Sequence, residues 1–168
     1  MTKIIFSYGK HVEPNHDKLN AFTEIAGSFD IAVRNVEYDF DSPADERAEK
    51  LLKIAQEEVA AGNELILCGT SMGCYGSLLV SQKVKTKGLF LISPAIFMPA
   101  YKIKDYPLNN AGLVQFVVGW NDTVIPVDEV EAFAKKQKIE THFVNDNHAM
   151  PDSLDVLKVL FEAFLRKL

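Results

Sequence analysis

The sequence predicts an α/β protein: a mostly parallel six-stranded sheet with helices on both faces. Short apolar runs alternate along the chain with longer amphipathic runs, which is the pattern of strands connected by helices. With 168 residues, the chain has the length of one domain, so we expect a single domain over residues 1–168 with no cap domain. Ligands bind such sheets beyond the carboxyl ends of the strands, so the residues that follow each strand are the candidates for chemistry.

Each element has its own local signal. The strand-length apolar runs are residues 3–7, 31–38, 64–68, 88–92, 113–118 and 140–144. The amphipathic runs predict helices over residues 15–27, 42–61, 72–82, 126–137 and 151–168. Residues 94–112 contain three prolines and two tyrosines and predict a loop or a short helix.

Several helix ends are also predicted by residue type. We expect Gly27 to end the first helix in a left-handed conformation, and Gly62-Asn63 to end the second. Ser42 is expected to cap the second helix, with Pro43 in its first turn.

The composition argues against several classes of function. The formal net charge is −5, which disfavours nucleic acid or an anionic membrane as the main partner. The apolar runs are far shorter than the roughly 20 residues that span a bilayer. Strand-like residues begin directly after Met1-Thr2, which leaves no room for a signal peptide. Cys68 and Cys74 are expected to be buried free thiols, which fits a reducing cytoplasm best.

The third strand runs into Gly-Thr-Ser-Met-Gly, residues 69–73, and a helix follows. In a Gly-x-Ser-x-Gly elbow the serine occupies a strained turn that exposes its hydroxyl, so Ser71 is the candidate nucleophile. Side chains at Gly69 and Gly73 would collide with the neighbouring strand and helix. Met72 opens the helix, and its N–H is expected to point towards an anion near Ser71.

Two further strand ends carry complementary groups. Asp122 follows the fifth strand and His148 follows the sixth, so all three residues fall on one edge of the sheet in the order Ser, Asp, His. Imidazole can take a proton from the serine hydroxyl near neutral pH, and a carboxylate can orient the imidazolium that forms. Asp146, two residues before His148, is a rival acid, although so short a separation makes it hard to reach the far ring nitrogen.

The first strand ends in Ser7-Tyr8-Gly9-Lys10 at the same edge. Gly9 would allow the backbone to turn there and present the N–H of Lys10, or of Gly9 itself, to an oxyanion. Losing one such donor typically costs about 3–4 kcal/mol of transition-state stabilisation, so this loop is expected to matter.

With these motifs in place, the chain resembles the α/β-hydrolase superfamily, as a small single-domain esterase-like member, over residues 3–168. The segment Gly-Trp-Asn-Asp-Thr-Val-Ile-Pro around Asp122 is similar to the acid loop of that family. The resemblance implies a catalytic triad of Ser71, Asp122 and His148, with the second oxyanion donor in the loop of residues 8–10. Tyr8 stands where the family usually has histidine.

The sequence therefore predicts a serine hydrolase of carboxylic esters or thioesters that needs no cofactor and takes a small-molecule substrate. Tyr8 and three residues of segment 94–112, namely Phe97, Met98 and Tyr101, are the candidates for substrate binding. An acyltransferase or an amidase would use the same residues, and a non-catalytic binding protein could keep the fold.

Other constellations are weaker. His11, Glu13 and His16 do not have the spacing of zinc ligands on a helix, and Pro14 interrupts them. The aspartates after the second strand are typical of turns and helix caps. For these reasons no metal is expected. The chain has no glycine-rich phosphate loop, so a nucleotide cofactor is not expected either.

Overall fold

The structure is a computed structural model and describes residues 1–10 and 16–168. The strands are β1 Thr2–Ser7, β2 Ala32–Asn35, β3 Glu64–Thr70, β4 Thr86–Ile92, β5 Ala111–Gly119 and β6 Glu140–Val144. The helices are α1 Asp17–Gly27, α2 Ala44–Ala60, α3 Met72–Ser81, α4 Val127–Gln137 and α5 Leu154–Arg166. The strands form one sheet in the order β2-β1-β3-β4-β5-β6, and every neighbouring pair is parallel. The predicted fold class is confirmed.

The sheet is covered on both faces because side chains of successive strand residues point to opposite sides. In β1, Ile4 and Phe6 belong to the core that includes residues of α1 and α5, while Ile5 belongs to the core that includes residues of α2, α3 and α4. β4 follows the same alternation, with Phe90 on the first face and Leu91 on the second. Two apolar cores therefore hold the sheet between helix layers, and its carboxyl edge is where the connecting loops meet.

The ends of α1 differ from the prediction. Asn15, the predicted first residue, lies outside the described residues, and α1 begins at Asp17, with His16 Nδ1 accepting a hydrogen bond from the N–H of Leu19 at 3.3 Å. Gly27 is the last helical residue and does not adopt the left-handed conformation; Asp30 does, with φ 57°. The prediction for Gly27 was wrong because the chain makes three more residues of turn before it reverses.

The start of α2 also needs correction, whereas its end is confirmed. Pro43, and not Ser42, is the N-cap residue. Ser42 cannot cap because its hydroxyl donates to the carbonyl oxygen of Asp39 at 2.8 Å and accepts from Arg47 Nε at 3.0 Å. Gly62 follows the helix with φ 83°, the left-handed conformation that glycine adopts without strain.

Two other boundaries differ from the prediction. β2 ends at Asn35, short of the predicted residue 38; beyond it the N–H of Val36 still donates to Phe6 at 3.0 Å, and the Tyr38 hydroxyl lies 2.7 Å from Ser7 Oγ. α5 begins at Leu154, later than predicted, because the Asp146 carboxylate accepts from the N–H of Asp152 at 3.0 Å and holds the preceding residues in a turn. No helix forms between β4 and β5, so residues 94–110 adopt the loop alternative, and residues 111 and 112 already belong to β5.

Cys68 and Cys74 are buried and free, as predicted, and burial raises the pKa of both thiols. Within residues 1–10 and 16–168, no helix has the length and apolarity needed to cross a membrane.

Candidate active site

Three loops at the carboxyl edge bring Ser71, Asp122 and His148 into one hydrogen-bonded chain. His148 Nδ1 lies 2.7 Å from Asp122 Oδ2, and His148 Nε2 lies 2.8 Å from Ser71 Oγ. A carboxylate only accepts hydrogen bonds, so the neutral imidazole carries its proton on Nδ1 and leaves Nε2 free to accept from the Ser71 hydroxyl. Both distances are within the range of direct hydrogen bonds.

Ser71 sits between β3 and α3 with φ 53° and ψ −119°, a conformation that residues with a side chain rarely adopt. Such backbone costs on the order of 1–3 kcal/mol and persists only where the surroundings hold it. Here the N–H of Ser71 donates to the carbonyl oxygen of Ile92 at 2.9 Å, and its carbonyl oxygen accepts from the N–H of Cys74 at 3.0 Å. The elbow is thus tied to both β4 and α3.

The two elbow glycines allow this close approach. A Cβ on Gly73 would lie 2.1 Å from the carbonyl oxygen of Ser7 in β1. A Cβ on Gly69 would lie 3.0 Å from the backbone of Gly73 and Cys74. The predicted collisions with the neighbouring strand and helix are confirmed.

The Asp122 side chain is fully buried, with 0% of it exposed. Its Oδ1 accepts from the N–H of Val124 at 2.9 Å and of Ile125 at 3.2 Å. These two bonds leave Oδ2 directed at His148. The loop after β5 therefore orients the carboxylate independently of its contact with His148.

The loop that carries His148 is held from two sides. Ser93, at the end of β4, has φ 47° and donates its hydroxyl to the carbonyl oxygen of His148 at 2.7 Å. Lys18, in the first turn of α1, donates to the carbonyl oxygen of Ala149 at 2.6 Å. The His148 side chain remains 21% exposed, so its ring is accessible from the cavity beside it.

Asp146, the rival acid, is used elsewhere. Its carboxylate accepts from the N–H of Asn147 at 2.8 Å, the N–H of Asp152 at 3.0 Å and Ser153 Oγ at 2.7 Å. Burial raises the pKa of this carboxyl, but the hydrogen bonds more than offset the burial, and the pKa lies below its usual range. Asp146 shapes the histidine loop, and the partner of His148 Nδ1 is Asp122.

The loop after β1 lies against the candidate nucleophile. A Cβ on Gly9 would lie 2.9 Å from Ser71 Cβ and 3.2 Å from Ser71 Oγ. On its other side, Arg47 Nη1 donates to the carbonyl oxygens of Gly9 at 3.1 Å and Tyr8 at 3.4 Å. Arg47 was not predicted from the sequence. Its position one residue before Ala48, on the buried side of an amphipathic helix, is the signal that could have identified it.

A cavity of about 540 Å³ opens beside Ser71. Its lining residues come from four strand ends and the start of α1: Gly9, Lys10, His16, Asp17, Lys18, Thr70, Ser71, Ile92, Ser93, His148 and Ala149. Burial lowers the pKa of both His16 and Lys18, and the proximity of the Lys18 charge lowers that of His16 further. The loop after β1 was expected at this site from the sequence, whereas the residues at the start of α1 were not.

The four residues predicted to bind substrate do not line this cavity. Tyr8 is 3% exposed, with its ring edge-on to Tyr38 at a centroid distance of 5.5 Å. Tyr101 packs on Tyr75 at a centroid distance of 4.3 Å, while Phe97 and Met98 pack against the core on the side of α4. Their part in substrate binding stays a prediction; Phe97, Met98 and Tyr101 are half-buried and pack against other side chains on one side.

Among the described residues, no group of three histidine, cysteine, aspartate or glutamate side chains could hold a metal ion. His11 and Glu13, considered above with His16, lie outside the described residues.

A serine on a strand–turn–helix elbow, an acid after a later strand and a histidine after the last are the arrangement of the α/β hydrolases. No protein-family model matches the chain, and no curated protein sequence matches it. Solved structures do match. A protein of Xanthomonas campestris described as belonging to the alpha/beta hydrolase superfamily has a TM-score of 0.89 and 26% identity, covering 99% of each chain.

Two more distant structures share the fold. An α/β serine hydrolase without a lid, also from Xanthomonas campestris, has a TM-score of 0.80 and 16% identity over 99% of this chain and 81% of that one. Est1E from Butyrivibrio proteoclasticus has a TM-score of 0.78 and 15% identity over 98% of this chain and 87% of that one. Over nearly its whole length, the chain is thus similar in fold to members of the α/β-hydrolase superfamily.

Proposed function

We propose that this protein is a serine hydrolase that cleaves carboxylic ester or thioester bonds of a small-molecule substrate through an acyl-enzyme intermediate on Ser71. The observation that carries the proposal is the unbroken chain of short hydrogen bonds from Asp122 through His148 to Ser71. The chain ends at a cavity large enough for a small ester.

In this mechanism Ser71 Oγ attacks the carbonyl carbon of the substrate while His148 Nε2 takes the hydroxyl proton. Asp122 holds the ring in the correct tautomer and stabilises the imidazolium. The tetrahedral intermediate collapses as His148 returns the proton to the leaving alcohol or thiol. Water then attacks the acyl-enzyme, again with His148 as base, and releases the acid and free Ser71.

The negative charge on the substrate oxygen needs donors that are already in place. Met72 is the first residue of α3, so its N–H has no acceptor within the helix. The second donor is the N–H of Lys10, or that of Gly9, in the loop that lies against Ser71. The two buried free thiols suit a reducing compartment, and we propose the cytoplasm.

The experiment that tests the proposal is intact-mass spectrometry after exposure to a fluorophosphonate, on the wild type, Ser71→Ala and His148→Ala. We expect one adduct on the wild type and none on either variant, because only an activated serine is phosphonylated at a measurable rate. Ser28→Ala is the control and should be labelled like the wild type, because Ser28 is exposed after α1 and its hydroxyl donates only to the carbonyl oxygen of Ile25, at 2.7 Å.

The outcome separates this proposal from its alternatives. A folded wild type that takes no label would contradict the serine hydrolase proposal and favour a binding role. If the label appears, hydrolysis of a chromogenic ester with and without an added alcohol measures how the acyl-enzyme divides between water and another acceptor. A new ester as the main product would identify an acyltransferase instead.

A further inference from the structure

Arg47 is a buried cation that forms no ion pair with any carboxylate among the described residues. It lies in the first turn of α2 and is 5% exposed. None of the ion pairs formed by residues 1–10 and 16–168 involves Arg47. Removing a charge from water is costly unless the protein supplies hydrogen bonds in its place. The hydrogen-bond acceptors of the guanidinium group therefore indicate the role of Arg47.

Those acceptors are almost all backbone carbonyl oxygens of two loops at the carboxyl edge. Nη2 donates to Asp39 and Phe40 at 3.3 Å each, and Nε donates to the carbonyl oxygen of Ser42 at 3.2 Å. Nη1 donates to Gly9 at 3.1 Å and Tyr8 at 3.4 Å. The guanidinium therefore joins the loop after β1 to the loop that leads into α2.

The two bonds from Nη1 have a consequence on the opposite side of the loop. In a trans peptide unit the C=O and the following N–H point in opposite directions. Holding the carbonyl oxygen of Gly9 therefore directs the N–H of Lys10 away from the guanidinium, and holding that of Tyr8 does the same for the N–H of Gly9. Gly9 itself lies against Ser71: a Cβ placed on Gly9 would be 2.9 Å from the Cβ of Ser71.

The charge also acts on the strength of these donors. A cation at a carbonyl oxygen polarises the peptide unit, and polarised units donate stronger hydrogen bonds from their N–H. A neutral side chain of the same length would fill the space at a lower desolvation cost, but it would neither hold nor polarise the loop.

We propose that Arg47 is a positioning residue for the oxyanion hole. It holds the loop after β1 so that the N–H groups of Gly9 and Lys10 face the substrate oxygen that becomes negatively charged when Ser71 attacks. The inference rests on the proposed function. It assigns no contact between Arg47 and substrate, because the guanidinium acts through the two peptide units that it holds.

The test compares Arg47→Met and Arg47→Lys with Arg34→Met. Arg34 is the matched control, since it also contacts α2, through Glu58 at 2.9 Å, but near the other end of that helix. Ester hydrolysis is measured per active site, counted by fluorophosphonate labelling carried to completion. A boronic acid, which forms a tetrahedral adduct with the serine, reports on transition-state binding, and the product acid reports on ground-state binding.

We expect Arg47→Met to lower kcat about 10²–10³-fold, the range for loss of one oxyanion donor, with KM within about threefold of the wild type. Boronic acid affinity should fall in parallel while product affinity changes little. Arg47→Lys keeps the charge but not the several hydrogen bonds, so its kcat should lie between those of Arg47→Met and the wild type. Arg34→Met should keep the wild-type kcat and KM.

A kcat per titrated site within threefold of the wild type for both Arg47 variants would overturn the proposal, as would equal losses of boronic acid and product binding. If neither variant folds, NMR of the wild type provides the test. When a boronic acid binds, the amide proton of Gly9 or Lys10 should move downfield. The absence of a shift in both amide protons would overturn the proposal. Failure of the proposed function looks different, because the wild type itself would then show neither label nor turnover.

Discussion

At the scale of single residues, each of the three side chains in the Ser71–His148–Asp122 chain has its own backbone support. The elbow N–H bonds Ile92, the carboxylate of Asp122 bonds two amides of its own loop, and the carbonyl oxygen of His148 accepts from Ser93. In the proposed mechanism, such support would hold the three groups in place before substrate binds, so that little reorganisation is needed in the transition state.

Replacing Gly9 with alanine should reduce activity without unfolding the protein. The new Cβ would lie 2.9 Å from Ser71 Cβ, so the loop must shift away from the nucleophile and carry its N–H groups with it. We expect kcat to fall by about 10²-fold or more, as for a lost oxyanion donor, measured by ester hydrolysis with circular dichroism as the check on folding. Gly27→Ala is the control, because nothing lies within 4 Å of a Cβ there. A Gly9→Ala variant as active as the control would contradict this placement of the loop.

Asp122→Asn should keep the fold and lose most of the activity. The amide oxygen can still accept from Val124 and Ile125, but an NH₂ group in place of Oδ2 would favour the wrong tautomer of His148. Substitutions of this kind lower kcat by about 10⁴-fold. Asp128→Asn, on the exposed first turn of α4, should behave like the wild type in the same ester assay. Comparable activities for the two variants would show that His148 does not depend on Asp122.

At the scale of elements, the C-terminal half of α2 is tied to the sheet by one buried carboxylate. Glu58 accepts from Lys3 of β1 at 2.8 Å, Arg34 of β2 at 2.9 Å and Asn63 at 2.8 Å. The hydrogen bond from Lys3 is the main cause of a Glu58 pKa below the usual range; burial opposes it but is outweighed.

This pKa predicts how stability depends on pH. A carboxyl whose pKa is lower in the folded state stabilises the protein above its unfolded pKa, and this contribution is lost as pH falls through the folded value. The unfolded pKa of a glutamate is about 4.3, so Glu58→Gln should reduce the free energy of unfolding at pH 7 and have much less effect near pH 3. Urea unfolding at several pH values measures both.

Glu57→Gln is the matched control, because the Glu57 side chain is 52% exposed and its oxygen lies 3.7 Å from Arg34. It should change stability little at either pH. An effect of Glu58→Gln that is the same at pH 7 and pH 3 would mean that packing, and not the charge, makes the contribution.

At the scale of the whole molecule, the sheet depends on helix layers that come from distant parts of the chain. Phe161 of α5 stacks on Phe22 of α1 with ring centroids 4.3 Å apart and packs on Phe90 of β4 at 5.3 Å. The first and last helices therefore meet over the middle of the sheet, and loss of this contact should weaken the entire fold.

Phe161→Ala should lower the free energy of unfolding by about 3–5 kcal/mol, the usual cost of removing a buried phenylalanine. We expect one cooperative urea transition, shifted equally whether followed by circular dichroism or by fluorophosphonate labelling. Val159→Ala, at a side chain 67% exposed, should stay within about 0.5 kcal/mol of the wild type. Labelling that is lost well before the circular dichroism signal would show that the two ends of the sheet unfold separately.

Most of the fold could be predicted from the sequence because its signals are local. Apolar runs of strand length and amphipathic runs of helix length follow from side-chain direction within each element, and the glycines of the Ser71 elbow can be recognised from their immediate neighbours. Helix ends were harder. Ser42 has the residue type of an N-cap, but its hydroxyl is bonded to Asp39 and Arg47 instead, and these contacts are not part of the local helix signal.

By itself, the sequence determined the order of strands and helices and the strand ends at which Ser71, Asp122 and His148 stand; their catalytic roles remain predictions. Only the tertiary structure decided that Asp122 and not Asp146 meets His148, that α1 and not Phe97 or Tyr101 borders the cavity, and that Arg47 holds the loop after β1. The physical reason is that these features depend on side-chain directions across residues far apart in the chain, which packing fixes and local propensity does not.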